Sequence, residues 1–173
     1  MSTPPTQYVS SITIDSVFDA LGSYLAPFVA PASIIRCQVN RTSYPIGDFV
    51  ELTEISNTDL EYPRQWYDTV NLQRDIIGPK RLAIQADFYG ESAGDWCAAI
   101  KTVWRTPWSV AQFPAGMAPL YCDDGREMPF VTGEDQYTRR WSLTMSIQYN
   151  PVVIVPQLSA NTLSMNIIDD VDA

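Results

Sequence analysis

The side chains able to do chemistry are few in this sequence of 173 residues, and their spacing favours no catalyst. Histidine is absent. That removes the commonest general base, the commonest metal ligand and every Ser/His or Cys/His pairing. Two pairs of adjacent acids, Asp123-Asp124 and Glu134-Asp135, have the residue types of a paired-carboxylate hydrolase. Adjacent acids in turn-like loops are more commonly solvated turn formers, and that is the reading favoured here. Cys37, Cys97 and Cys122 are far apart with no Cys-x-x-Cys pair, so neither a zinc site nor a disulfide framework is indicated, and reduced, mostly buried thiols are expected. Gly90-x-x-x-Gly94 lacks the Lys-Ser/Thr that completes a nucleotide loop. Asp169, Asp170 and Asp172 near the C-terminus have no turn glycine to make them a calcium loop. No catalytic, cofactor or metal site is predicted, and no enzyme activity.

Eleven basic residues against twenty acidic ones leave a net charge of -9. Tight DNA binding is not expected, because it depends on Lys and Arg displacing counterions from phosphate. An acidic wall beside DNA would let it slide past without sticking, although solubility accounts for such a charge equally well. Trp66, Trp104, Trp108 and Trp141 have the rings of stacking platforms, but no basic groove accompanies them, so core or interface packing is favoured. Arg139 falls on an apolar face with Tyr137, Trp141 and Leu143 and needs a counter-charge. An intrachain carboxylate is favoured over a neighbouring subunit. The N-terminus has no signal-peptide pattern and no apolar run reaches 18 residues, so a soluble protein made in the cytoplasm, with no membrane partner, is expected.

The elements that would position these residues are readable from periodicity. Ile14, Val17, Phe18, Leu21, Leu25 and Phe28 recur at helical spacing, with Thr13 or Asp15 as cap and an end near Pro27 to Pro31. Residues 34–40 alternate, with Ile35, Cys37 and Val39 on one face, and a connection through Tyr44 to Asp48 leads to a paired strand from Phe49 to Ile55. Asn57 to Gly78 reads as a long excursion with some strand near Trp66 to Asp75. Leu82, Ile84, Ala86 and Phe88 mark a half-buried strand ended by Gly90. A second helix follows, with a stripe of Trp96, Ala99, Ile100, Val103 and Trp104, closed by Pro107. A loop from Pro114 to Pro119 then leads to a short strand at Leu120 to Cys122. Tyr137 to Tyr149 alternates strictly over thirteen residues, roughly 43 Å at about 3.3 Å per residue, so this strand is expected to reach past the globular body. Leu163, Met165 and Ile167 suggest a last strand within 158–168. The fold class predicted is α+β, a single mainly antiparallel β-sheet with two amphipathic helices packed on one face. A flexible arm is expected over residues 1–12, one domain over 13–168 and an acidic tail over 169–173.

A series of short stretches carries a resemblance: Arg36-Cys37-Gln38-Val39-Asn40-Arg41, Gly47-Asp48-Phe49-Val50, Asp87-Phe88-Tyr89-Gly90 and Pro119-Leu120-Tyr121-Cys122-Asp123-Asp124. It continues through Met128-Pro129-Phe130, Gly133-Glu134-Asp135-Gln136-Tyr137, Arg140-Trp141 and Gln148-Tyr149-Asn150-Pro151-Val152-Val153. Taken in order over residues 36–153, the series resembles the neck or tail-terminator family of contractile-tailed bacteriophages; Asn57 to Gly78 matches it least. The resemblance implies a virion protein that assembles with itself into a closed ring, of six copies by expectation. The ring would cap the tail tube, touch tail sheath and head-completion proteins, and pass DNA through its lumen without holding it tightly. A closed ring needs heterologous interfaces, one patch meeting a different patch on the next copy. The candidate interface residues are Trp66, Tyr67, Arg139, Arg140 and Trp141, with the final strand. A head-tail stopper or tube subunit, and a monomeric module gripping a peptide or sugar with Trp66 and Tyr67, remain the alternatives, with a hydrolase using Asp123 and Asp124 behind them.

Overall fold

A computed structural model describes residues 8–37, 45, 47–128, 130, 131 and 137–157. The expected final strand at 158–168, the acidic tail, Glu134-Asp135 and residues 1–7 of the arm lie outside these. Helix α1 (Ile14–Val29) begins at Thr13, whose hydroxyl accepts from the Ser16 backbone N–H while the Ser16 hydroxyl accepts from the Thr13 N–H, a reciprocal cap. The helix runs through Pro27 and ends at Val29, within the predicted Pro27 to Pro31. Pro27 deletes a single hydrogen bond in the last turn, and burial of Leu25 and Val29 holds that turn on the sheet. Tyr24, absent from the predicted stripe, is also buried, its hydroxyl 2.7 Å from that of Ser109.

Strand β1 (Ser33–Arg36) pairs in parallel with β2 (Phe49–Asp59). Twelve residues, 37–48, separate them, about the length a parallel crossover needs. β2 continues four residues beyond the predicted end at Ile55 because a bulge between Glu54 and Ser56 ejects Ile55 and resets the alternation. β3 (Arg64–Asp68) and β4 (Gln73–Ile77) form a hairpin, two strands where some strand had been expected near Trp66 to Asp75. The Asp68 carboxylate folds that stretch in two, accepting from the Val70 and Asn71 N–H groups at 2.8 and 3.1 Å, while Leu72 takes φ +51°.

β5 (Lys80–Tyr89) is followed by α2 (Ala93–Val103) and α3 (Pro107–Gln112). Pro107 therefore opens a helix instead of merely closing one. It sits in the first turn behind the cap Thr106, a place where its missing N–H costs nothing. The buried face of α2 is Ala93, Cys97 and Ile100, followed by Trp104, whereas Ala99 is exposed and Trp96 half-buried. Ile100 and Trp104 of the predicted stripe are in the core with Trp96 packed against it, while Ala93 and Cys97 are buried where Ala99 had been expected.

β6 (Met117–Cys122) starts three residues before the predicted strand, and β7 (Arg126–Glu127), β8 (Phe130–Val131) and β9 (Tyr137–Thr138) precede β10 (Arg140–Tyr149) and β11 (Val152–Pro156). The thirteen-residue strand is thus divided at Arg139. Tyr137 and Thr138 pair with β8 in a separate two-stranded sheet, and only the ten residues of β10 join the main sheet. The break follows from its neighbour: β5 ends at Tyr89, and Gly90, at φ +129°, donates its N–H to the Arg139 carbonyl and turns away. β10 spans about 30 Å at 3.3 Å per residue, and the expectation of a single strand reaching past the body is corrected.

The main sheet has the order β1-β2-β5-β10-β6, with β7 also on β10, and is antiparallel except at β1–β2. In-register rows Val50–Phe88–Trp141 and Leu52–Ala86–Leu143 face the helices. Val17, Leu21, Leu25, Ile84, Ile100, Trp104, Met145 and Ile147 are fully buried there, each stabilising the fold by about 1.5–3 kcal/mol. The described end of the arm is pinned: the Ser11 N–H donates to the Val152 carbonyl, the Val152 N–H to the Ser11 hydroxyl, and Ile12 packs on the core. The fold is α+β with one mainly antiparallel main sheet, as predicted, carrying three helices, a small three-stranded sheet and the two-stranded β8–β9 sheet among the described residues.

Candidate assembly surfaces

β2 leaves the main sheet at Asp59, β5 enters it at Lys80 and β10 leaves it at Tyr149, and these three residues are aligned in register. The chain between Asp59 and Lys80 supplies β3 and β4, and the chain after Tyr149 supplies β11, building the second sheet of order β11-β4-β3, so this sheet stands at one end of the main one. Leu60 N–H to Pro79 O (2.9 Å) and Gly78 N–H to Pro151 O (3.2 Å) tie the two together. No residue of β3, β4 or β11 is buried, and none joins the hydrophobic core. Trp66 is 54% exposed, and Leu60, Tyr62, Val70, Leu72 and Ile154 on and around the sheet are exposed as well. Tyr67 is half-buried on the other face of β3, its hydroxyl without a hydrogen-bond partner.

Arg139, Arg140 and Trp141 lie at the opposite end of β10 and are three different things. Arg139 projects to solvent with its side chain 66% exposed, 3.8 Å from the Glu127 carboxylate. This is the intrachain partner that the sequence favoured. Arg140 points to the face of the sheet away from the helices and donates to Asp87 at 2.8 Å, its guanidinium also lying over the Tyr89 ring. The Asp87 hydrogen bond, opposed by burial, pushes the Arg140 pKa above its ordinary value. Trp141 is half-buried and packs so closely on Gly94 that a Cβ there would stand 3.1 Å from the ring. The structure therefore groups Arg139–Trp141 at one end of the main sheet, while Trp66 and Tyr67 belong to the separate sheet at its other end.

Sequence reasoning missed Glu51 and Asp87, cross-strand partners on β2 and β5 that are 7% and 2% exposed. Each sits on the polar face of an alternating strand, so only the register shows that two carboxylates and Arg140 meet. The other candidates are dispersed. Asp124 is exposed and bonded to Lys101, which holds its carboxyl below the usual range, the reverse of what a general acid needs. Trp104 is buried in an aromatic cluster with Tyr24 and Phe113, while Trp108 lies at its rim, half exposed. All three cysteines are free, and burial pushes the Cys97 and Cys122 thiols up. Among the described residues no three metal-ligating side chains stand together, and no helix is long and apolar enough to cross a membrane.

The chain is similar in fold to a cryo-EM structure of the sheath/tube terminator of an extracellular contractile injection system, PVC, in its extended state. The TM-score is 0.50 at 11% sequence identity, over 95% of this chain and 67% of that one. No curated protein matches the sequence. The phage neck terminator protein family matches residues 15–171, and the chain belongs to that family.

Proposed function

We propose that this chain is the subunit of a closed ring, of six copies, that caps the tail tube and joins the tail to the neck, with DNA passing through its lumen. The observation that carries this reading is the pair of unlike surfaces at opposite ends of one rigid sheet. A ring closes through heterologous contacts, in which a patch on one copy meets a different patch on the next. The β11-β4-β3 sheet supplies one such patch. Three strands with no buried residue of their own are marginal in water, and their exposed Trp66, Leu72 and Ile154 are what a neighbour would cover. Arg139, with the Arg140 and Trp141 surface behind it, supplies the other. The net charge of -9 suits a wall that DNA crosses without binding. Tail tube, sheath and head-completion proteins are the partners in this reading, and the role is structural rather than enzymatic. The protein is assembled in the host cytoplasm and resides in the virion neck, its single domain spanning residues 13–168 between an arm and an acidic tail.

Imaging the neck of purified virions by electron microscopy at side-chain resolution tests this. A six-membered ring of this chain on the last tube layer, with Trp66 at the subunit contact, is the expected result. Density for the chain at another level of the neck would transfer it to a stopper or tube position, and absence from the particle would overturn the proposal.

A further inference from the structure

Strand β1 stands first in the order β1-β2-β5-β10-β6, so among the described residues one of its edges has no neighbouring strand. The Ser33 and Cys37 N–H groups donate to the Asp48 and Leu52 carbonyls on the β2 side, at 3.4 and 2.8 Å. Alternation therefore turns the N–H and C=O groups of Ile34 and Arg36 to the other edge. Such a row is a template for a further strand, and a charged side chain is a common guard against it. Arg36 does not stand guard. Its guanidinium is folded back onto α1, 4.1 Å from the centre of the Phe18 ring and paired with Asp15. Between α1 and this edge runs a groove of about 670 Å³, lined by Phe18, Asp19, Gly22, Ile34 and Arg36 among others. Its helix side is roomy at Gly22, where an added Cβ would meet nothing within 4 Å. Asp15 is engaged by Arg36, whereas the exposed Asp19 carboxylate makes no ion pair among the described residues.

We propose that this groove receives an extended segment of a different protein, with lysine or arginine at alternate positions, added as a strand to the free edge of β1. Main-chain hydrogen bonds to Ile34 and Arg36 supply the affinity of such an addition, and the side chains that alternate into the groove supply its selectivity. A lysine or arginine there lays its apolar stem over Phe18 and Ile34 and carries its charged head to Asp19. Charge complementarity also decides whose segment it is. Residues 1–7 and 158–173 of this chain contain three aspartates and no lysine or arginine, so those stretches of a second copy do not match the groove. The proposal goes beyond the ring reading and does not rest on it.

The test is a titration of the ¹⁵N-labelled full chain with a blocked peptide of alternating threonine and lysine, followed by amide chemical shifts. Two comparison peptides separate the causes. One replaces every lysine by glutamate, and the other keeps the lysines but is N-methylated along its backbone, which removes the amide donors a ladder needs. Saturable shifts with the lysine peptide are expected at residues 18–23 and 33–37. The glutamate peptide should bind at least tenfold more weakly, and the N-methylated one not at all. Asp19→Asn, on the exposed side of α1, should weaken the lysine peptide about threefold, the size of an exposed charge contact. No saturable binding, shifts centred on another strand edge such as β3 or β6, or equal binding of either comparison peptide would each overturn the proposal. Those results would leave the ring reading intact, because that is judged by the image of the neck.

Discussion

Replacing Arg140 by methionine isolates the energetics of the ionic group under the sheet. Asp87 would keep its place, 2% exposed, facing the 7%-exposed Glu51 across the strand pair, without the guanidinium now 2.8 Å from its Oδ2. Removing one partner of a buried ion pair costs about 3–5 kcal/mol, because the other charge is stranded. The Arg140 side chain is 24% exposed, so water can reach the site, and the lower end, about 3 kcal/mol, is expected. For a domain of this size each kcal/mol corresponds to about 2–4 °C, so Tm should fall by about 6–12 °C. The double variant Asp87→Asn with Arg140→Met should regain most of the loss, since the stranded charge goes with the second change. Arg139→Met is the control. Its pair with Glu127 is long and exposed, and it should stay within about 0.5 kcal/mol of the parent. Urea and thermal unfolding of the four proteins measure all of this. An Arg140→Met loss below about 1 kcal/mol, or a double variant no more stable than the single one, would show that the pair is solvated and the argument from burial wrong.

Trp66→Ser should leave the unfolding free energy within about 1 kcal/mol of the parent, since the ring is 54% exposed, but should weaken self-association at least tenfold in sedimentation or native mass spectrometry. An unaltered assembly would remove Trp66 from the interface. Cys97 should alkylate at least about a hundredfold more slowly in the folded chain than in urea, because burial disfavours its thiolate and opening of the helix–sheet contact must come first. Rapid labelling, mapped by mass spectrometry, would contradict its place in the core. Hydrogen bonds from the Asn71 side chain, then from the Asn71 and Val70 backbones, hold the Asp68 carboxyl below its ordinary value of 3.8. A depressed folded pKa means that the carboxylate's support of the β3–β4 turn is complete above the unfolded value and fades as pH falls through the folded one. Val70 and Asn71 amide signals should therefore shift on acidification below about 3.8 in the parent, and that transition should be missing in Asp68→Ala. Identical acid profiles would refute the turn's dependence on Asp68.

Local chemistry made much of this protein legible before folding was considered. The Thr13 cap, the 3.6-residue stripe of α1 and the alternation of β5 are each decided within one element, where side-chain period and burial coincide. The absence of histidine, the scattered cysteines and the net charge of -9 bear on function without any coordinates. What the sequence left open depended on partners distant along the chain. The alternation of Tyr137 to Tyr149 is continuous, but a strand lasts only while a neighbour pairs with it, and β5 stops at Tyr89, so the strand divides at Arg139. The phase change in β2 needed the bulge opposite Ile84 and Ala83. The burial of Ala93 and Cys97 on α2, beside Ile100, depends on how the helix sits on the core and not on its own period. Glu51, Asp87 and Arg140 look like three solvated charges on three alternating strands. Only the register of β2, β5 and β10, set by the hydrophobic face beneath them, turns them into one buried group. Trp66 and Trp104 are the same residue type among similar neighbours. The tertiary structure alone puts Trp104 at the centre of the core and Trp66 on a sheet that has no core of its own.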